Sequence, residues 1–86
     1  MADEKLLKFP CEYPIKVMGR NTMEFEPEML AIFGRHVDIR NAAVRSQLSG
    51  SEKFLSVTVT FRATSQAQLD ALYRELTANK KVLFCL

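Results

Sequence analysis

Between Ser56 and Leu76 the chain changes period once, and that change limits the fold more than any other feature. Ser56-Val57-Thr58-Val59-Thr60-Phe61-Arg62-Ala63 alternates polar and apolar side chains, the period of a strand with one wet face and one dry face. From Ser65 the repeat lengthens. Leu69, Leu72, Tyr73 and Leu76 fall at i, i+3, i+4 and i+7, one stripe of a helix. A strand feeding straight into a helix with the same apolar side calls for a sheet with a helical layer on that side. Leu55, Val57, Val59 and Phe61 are the expected buried face; Phe54, Ser56, Thr58, Thr60 and Arg62 are the other.

The remaining elements are read around this pair. Ile15-Lys16-Val17-Met18 is a short strand, with Ile15 and Val17 on one face and Lys16 and Met18 on the other. Phe9 to Pro14, with Pro10 and Pro14, is extended but ill suited to a central ladder. Gly19-Arg20-Asn21-Thr22 is an exit turn. Met29, Leu30, Phe33 and Val37 recur at helical spacing, flanked by Phe25 and Ile32. Glu24, Glu26 and Glu28 gather at the end of that helix where the dipole favours carboxylates. Pro27 leaves its start open. Either the helix begins there, where proline is favoured, or it begins earlier with one backbone bond lost. Ala42 to Leu48 reads as a strand with Val44, Ser46 and Leu48 on one side, and residues 49–53 as a polar hairpin loop. Ser65-x-x-Gln68 fits a capping box, and Val82 to Leu86 forms a last short strand.

The order βαββαβ is the ferredoxin-like α+β sandwich. It predicts a four-stranded antiparallel sheet, order 4-1-3-2, with two helices on one face. Residues 1–86 are expected to form a single domain, with residues 1–8 a flexible lead-in. The expected core is Ile15, Val17, Leu30, Phe33, Val37, Val44, Leu55, Val57, Val59, Phe61, Leu69, Leu72, Leu76, Val82 and Phe84.

At 86 residues a modest core can form without metal or disulfide staples. Twelve basic and 10 acidic residues leave a net charge of +2, too even to imply nucleic acid or an anionic membrane. The opening Met1-Ala2-Asp3-Glu4-Lys5 lacks the apolar core of a signal peptide, so the cytoplasm is the expected location. Cys11 and Cys85 have no C-x-x-C spacing. The topology makes the first and last strands neighbours and allows the two thiols to approach, either as two packed small side chains or as a redox-sensitive disulfide, which requires Cα atoms within about 7 Å. Two cysteines and one histidine are too few for a structural zinc site. His36 is expected to cap carbonyls at a helix C-terminus, with Asp38 nearby. No nucleophile with a base stands at recognisable spacing. No catalytic residue, metal or cofactor is therefore assigned, and a non-enzyme is expected.

The uncovered sheet face is the functional lead. It is expected to display Lys16, Met18, Arg45, Thr58, Thr60, Leu83 and Cys85, with Phe54 near one end. It is either an ordinary solvated face or a contact surface for a protein partner, a homodimer included. An RNA-binding module is the alternative. RNA-recognition sheets stack bases on aromatic side chains of the central strands, whereas Lys16, Met18, Thr58 and Thr60 include none. The basic side chains Lys16, Arg20, Arg45 and Arg62 keep that alternative in view.

Phe9-Pro10, Lys16-Val17-Met18-Gly19, Arg35-His36, Ser56-Val57, Ala63-Thr64 and Leu72-Tyr73-Arg74-Glu75-Leu76 together resemble the YbeD-like family of small bacterial proteins, from Phe9 to Leu86. The chain departs from that pattern at Pro27 and in a slightly longer loop at Ser49 to Lys53. The resemblance implies a ferredoxin-like fold and a likeness to ACT-type regulatory domains, which bind small effectors such as amino acids. It carries no catalytic residue, since the family has no agreed activity. It also implies an effector site at the loop after the first strand, here Met18-Gly19-Arg20-Asn21. There Gly19 would admit a close approach, and Asn21 would offer both a donor and an acceptor.

Overall fold

The computed structural model describes residues 8–86; the lead-in expected over residues 1–8 falls, but for Lys8, outside them. The elements are β1 (Cys11–Arg20), α1 (Phe25–Gly34), a short 3-10 turn (Ile39–Asn41), β2 (Ala43–Ser49), β3 (Phe54–Ala63), α2 (Gln66–Ala78) and β4 (Phe84–Cys85). They form one antiparallel sheet in the order β2-β3-β1-β4, the arrangement the period change and element order predict. α1 and α2 pack against each other and on β1, β3 and β4. No helix among the described residues is long and apolar enough to cross a membrane.

β1 is longer than the sequence suggests and carries Pro14 inside a central strand, opposite Thr60. The hydrogen-bond pattern explains why this costs no ladder bond. Lys16 and Leu86 exchange backbone bonds of 2.8 and 3.2 Å, and Leu83 N–H donates to the Met18 carbonyl at 2.8 Å. Even-numbered residues of β1 therefore turn their backbone groups toward β4. The described chain on that side ends beside Lys16, so the missing N–H of Pro14 points to where no strand lies.

Pro27 is resolved in the same way. α1 begins at Phe25, and its first i to i−4 bond runs from Glu28 N–H to the Glu24 carbonyl at 3.0 Å. Pro27 sits in the first turn, where amides have no intrahelical partner, and no bond is lost. α2 is capped as its sequence predicts at one end of the box: Ser65 Oγ accepts from Gln68 N–H at 3.1 Å. The return arm lands one residue early, because Gln68 Oε1 accepts from Thr64 N–H at 2.8 Å. Gln68 Nε2 then donates to the His36 carbonyl at 2.8 Å, which ties the start of α2 to the chain leaving α1.

Ile15, Val17, Leu55, Val57, Val59 and Phe61 form the floor of the core, under Phe25, Met29, Ile32 and Phe33 of α1 and Leu69, Leu72 and Leu76 of α2. Four expected core residues move outward. Leu30 and Val82 are half-buried, and Val44 is exposed because β2 lies beyond the strands on which the helices pack. Phe84 is exposed too, for a reason of strand parity. In their place Phe25, Met29, Ile32 and Ala63 complete the core.

Candidate functional site

The register lays out the open face row by row. Lys16 lies opposite Thr58, which lies opposite Arg45. Beside that row Met18, Ser56 and Gln47 align, and Ser56 Oγ donates to the Gln47 carbonyl at 3.2 Å. Pro14, Thr60 and Ala43 make the next row, and Arg20 meets Phe54 at the far end. The structure thus brings Lys16, Met18, Arg45, Thr58 and Thr60 together on one surface.

Leu83 and Cys85 are not on it. β4 pairs Cys85 with Val17 and Phe84 with Met18, and directly paired residues share a face. Val17 is fully buried under the helices. Cys85 therefore packs against the core, where burial pushes its thiol pKa up, and Leu83 lies at the helical rim. Phe84 and Leu86 take the open face instead, 47% and 61% exposed. Sequence could not settle this parity, because Val82-Leu83-Phe84-Cys85-Leu86 is apolar at every position and offers no polar register mark. The result is an apolar strip of Met18, Phe84 and Leu86 beside Lys16, with Arg45 farther across the face, beyond Thr58.

The two thiols are also separated by this register. Both are free. Cys85 lies beside Val17, six residues along β1 from Cys11, which at strand rise is about 20 Å. The last strand simply does not extend to the start of the first.

The strand runs on through Gly19 and Arg20, which the sequence assigns to the exit turn, and both its end and the turn that follows are structural. Gly19 faces the helical side, where a Cβ would sit 2.6 Å from the Lys81 carbonyl oxygen and press into the Phe25 ring. The close approach that Gly19 permits is thus made by this protein's own core. Asn21 Nδ2 donates to the Glu52 carbonyl at 3.0 Å, and its N–H to the Lys53 carbonyl at 2.9 Å. These bonds anchor the hairpin turn, in which Gly50, Ser51 and Glu52 all hold positive φ. Arg20 remains available at the mouth of a cleft of about 260 Å³ bounded by Phe25, Lys80, Lys81 and Leu83.

His36 does not cap carbonyls with its ring. Its Nε2 donates to Glu75 Oε1 at 2.7 Å, and Arg35 bonds the other oxygen of the same carboxylate. Asp38 instead accepts from Asn41 Nδ2 at 2.6 Å. A second carboxylate does the converse job: Glu28 of α1 accepts from Lys81 Nζ at 2.8 Å and Asn79 Nδ2 at 2.9 Å, just past the end of α2. Each helix thus supplies a carboxylate that holds the residues leaving the other. The bonds from Arg35 and His36 lower the Glu75 pKa, and those from Lys81 and Asn79 lower that of Glu28. Elsewhere, burial and the bond to Tyr13 raise the Tyr73 hydroxyl well above its ordinary range. Among the described residues, no group of three or more His, Cys, Asp or Glu is placed to hold a metal ion.

Comparison with known proteins places this geometry among relatives. A family model described as "Protein of unknown function (DUF493)" matches residues 4–86. A UPF0250 protein of Paraburkholderia phytofirmans is 39% identical over 83 residues, covering 93% of this chain and 91% of its own length. A UPF0250 protein of Nitrosomonas europaea is 39% identical over 79 residues, covering 88% of each. Among solved structures, protein HP0495 from H. pylori superposes with a TM-score of 0.71 at 16% identity, covering 100% of this chain and 93% of its own. The ACT domain from the GTP pyrophosphokinase of Chlorobium tepidum superposes at 0.62 with 10% identity, covering 88% and 97%. At such identities the likeness is one of fold.

Proposed function

The chain belongs to the DUF493 family of bacterial proteins, the YbeD-like group whose members carry the UPF0250 name, and on that premise we propose that it is a non-catalytic regulatory module that binds a protein partner through its open sheet face. The observation that carries the reading is the strip of Met18, Phe84 and Leu86 lying beside Lys16, with Arg45 across Thr58 in the same row, on a face that no helix among the described residues covers. Clustered apolar groups rimmed by charge are the ordinary make-up of a contact surface. A partner matching it presents apolar side chains flanked by carboxylates. The ACT-like fold supports a regulatory role by analogy only, and the reading takes with it the cytoplasmic location expected from the sequence.

A second reading is supported by the cleft beside Arg20. Its rim carries Arg20, Lys80 and Lys81 together with Glu24 around Phe25 and Leu83, a mixture of charges that suits a small zwitterion such as an amino acid. One experiment separates these readings and the RNA alternative. Isotope-labelled protein is titrated with fractionated bacterial extract, then with an amino-acid panel, then with single-stranded RNA. Amide shifts gathered on Lys16, Met18, Thr58 and Phe84, and abolished by Thr58→Asp, are expected with a protein fraction. Shifts confined to Arg20, Phe25 and Leu83 with an amino acid favour the cleft. A salt-sensitive response to RNA, lost when Lys16 and Arg45 become glutamate, favours nucleic acid.

A further inference from the structure

β2 is the outer strand on its side, and all seven of its residues are exposed. The bond exchange between Lys16 and Leu86 sets the alternation across the whole sheet. Arg45 and Gln47 turn their backbone groups toward β3, and Val44, Ser46 and Leu48 turn theirs outward, where no strand lies among the described residues. Sheet proteins usually blunt such an edge with proline, a bulge or charged side chains. Here the register from Ala43 to Ser49 is unbroken. The segment holds no proline and one charged residue, Arg45, whose side chain lies on the open face. On the helical side, Val44 and Leu48 are 41% and 44% exposed.

We propose that β2 pairs antiparallel with β2 of a second copy of this chain, centred on Ser46, joining two sheets into one. The segment is self-complementary in that register and in no neighbouring one. About Ser46, Val44 of each copy lies opposite Leu48 of the other, so two aliphatic pairs form on the helical side, one to each side of the paired Ser46 residues. Arg45 falls opposite Gln47 on the open side, and no like charges face each other. Sliding the copies by one bonded pair sets Arg45 against Arg45 in one direction. In the other it places Val44 opposite Gly50, where nothing covers it. A two-fold axis through Ser46 closes the assembly at two copies. This surface is separate from the open-face strip, and the pairing makes the two open faces continuous.

The test is the mass of the full chain by light scattering, followed with concentration up to that of NMR samples. A single strand pair is a small interface, so the mass is expected to rise with concentration and double. Ser46→Pro removes an outward N–H and leaves the bonds to β3 in place; it is expected to fold and stay at single-chain mass. Val44→Lys with Leu48→Lys changes only exposed side chains and sets lysine against lysine; it too is expected to stay single. Val44→Lys with Leu48→Glu sets lysine against glutamate twice and is expected to double again. Single-chain mass for the unmodified protein throughout the range overturns the proposal. So does a doubled mass in the folded double-lysine variant. If that doubled mass is lost in Met18→Asp, the contact lies on the open face, and the reading of the open face survives while this one does not.

Discussion

Thr58 and Val59 are neighbours on β3 and face opposite surroundings. Val57, Val59 and Phe61 lie under both helices with almost no exposure, while Thr58 and Thr60 look out from the open face. The backbone is common to both sides, so the ladder bonds contribute equally to each. What differs is the apolar area withdrawn from water, worth about 1.5–3 kcal/mol for each large side chain on the helical side. The open side carries little of the stability, so its residues can be exchanged for recognition without unfolding the sheet that presents them.

Four variants break or sharpen that contrast, from the largest effect downward. Val59→Asp places a carboxylate under the helices and is expected to cost at least ~4 kcal/mol, a large share of a small protein's stability; urea unfolding followed by circular dichroism measures it. Gly19→Ala drives a methyl group into the Phe25 ring and the Lys81 carbonyl and is expected to cost about 1–3 kcal/mol, read from the same midpoints. A loss that small would mean the helical side tolerates intrusion only where the loop after α2 can yield.

The helical layer also has an acid-sensitive part. Glu28 and Glu75 hold lowered pKa values in the folded chain, so in mildly acid solution the unfolded chain binds more protons than the folded one. Stability from these two groups is present above the ordinary carboxylate range and is lost as pH falls through their folded values. Glu28→Gln with Glu75→Gln is expected to flatten the acid limb of thermal stability against pH. An unchanged limb would mean that these exposed pairs are screened in solution. Last, Thr58→Asp is expected to change the unfolding midpoint by no more than about 0.5 kcal/mol, the usual range for a surface position. Equal losses in Thr58→Asp and Val59→Asp would show that the two faces are not distinct.

Legibility followed the chemistry of each segment. The faces of β3 read correctly because, past Phe54, its outward positions are hydroxyls and an arginine. β4 does not, because five apolar residues in succession leave both parities open; only the pairing of Cys85 with Val17 decides between them. The expectation of Phe84 in the core and Cys85 on the surface is the reverse of their places. Val44 failed differently. Its parity is right, since it lies on the helical side opposite Val59, but no helix extends over it. Pro14 and Pro27 look disruptive in one dimension. Each proves harmless once it is known which neighbour, or which turn, its absent N–H would have faced.

Sequence alone determined the element order, the ferredoxin-like topology and the faces of β1 and β3, because alternation and helical spacing are local properties of a chain. Tertiary structure decided how far the helices reach across the sheet, which face each β4 residue takes and that Gly19 accommodates a phenyl ring. Those outcomes depend on contacts between segments far apart in the chain, where the space left by one side chain is set by another. The open face owes its general position to the first kind of information, and its apolar strip of Met18, Phe84 and Leu86 to the second.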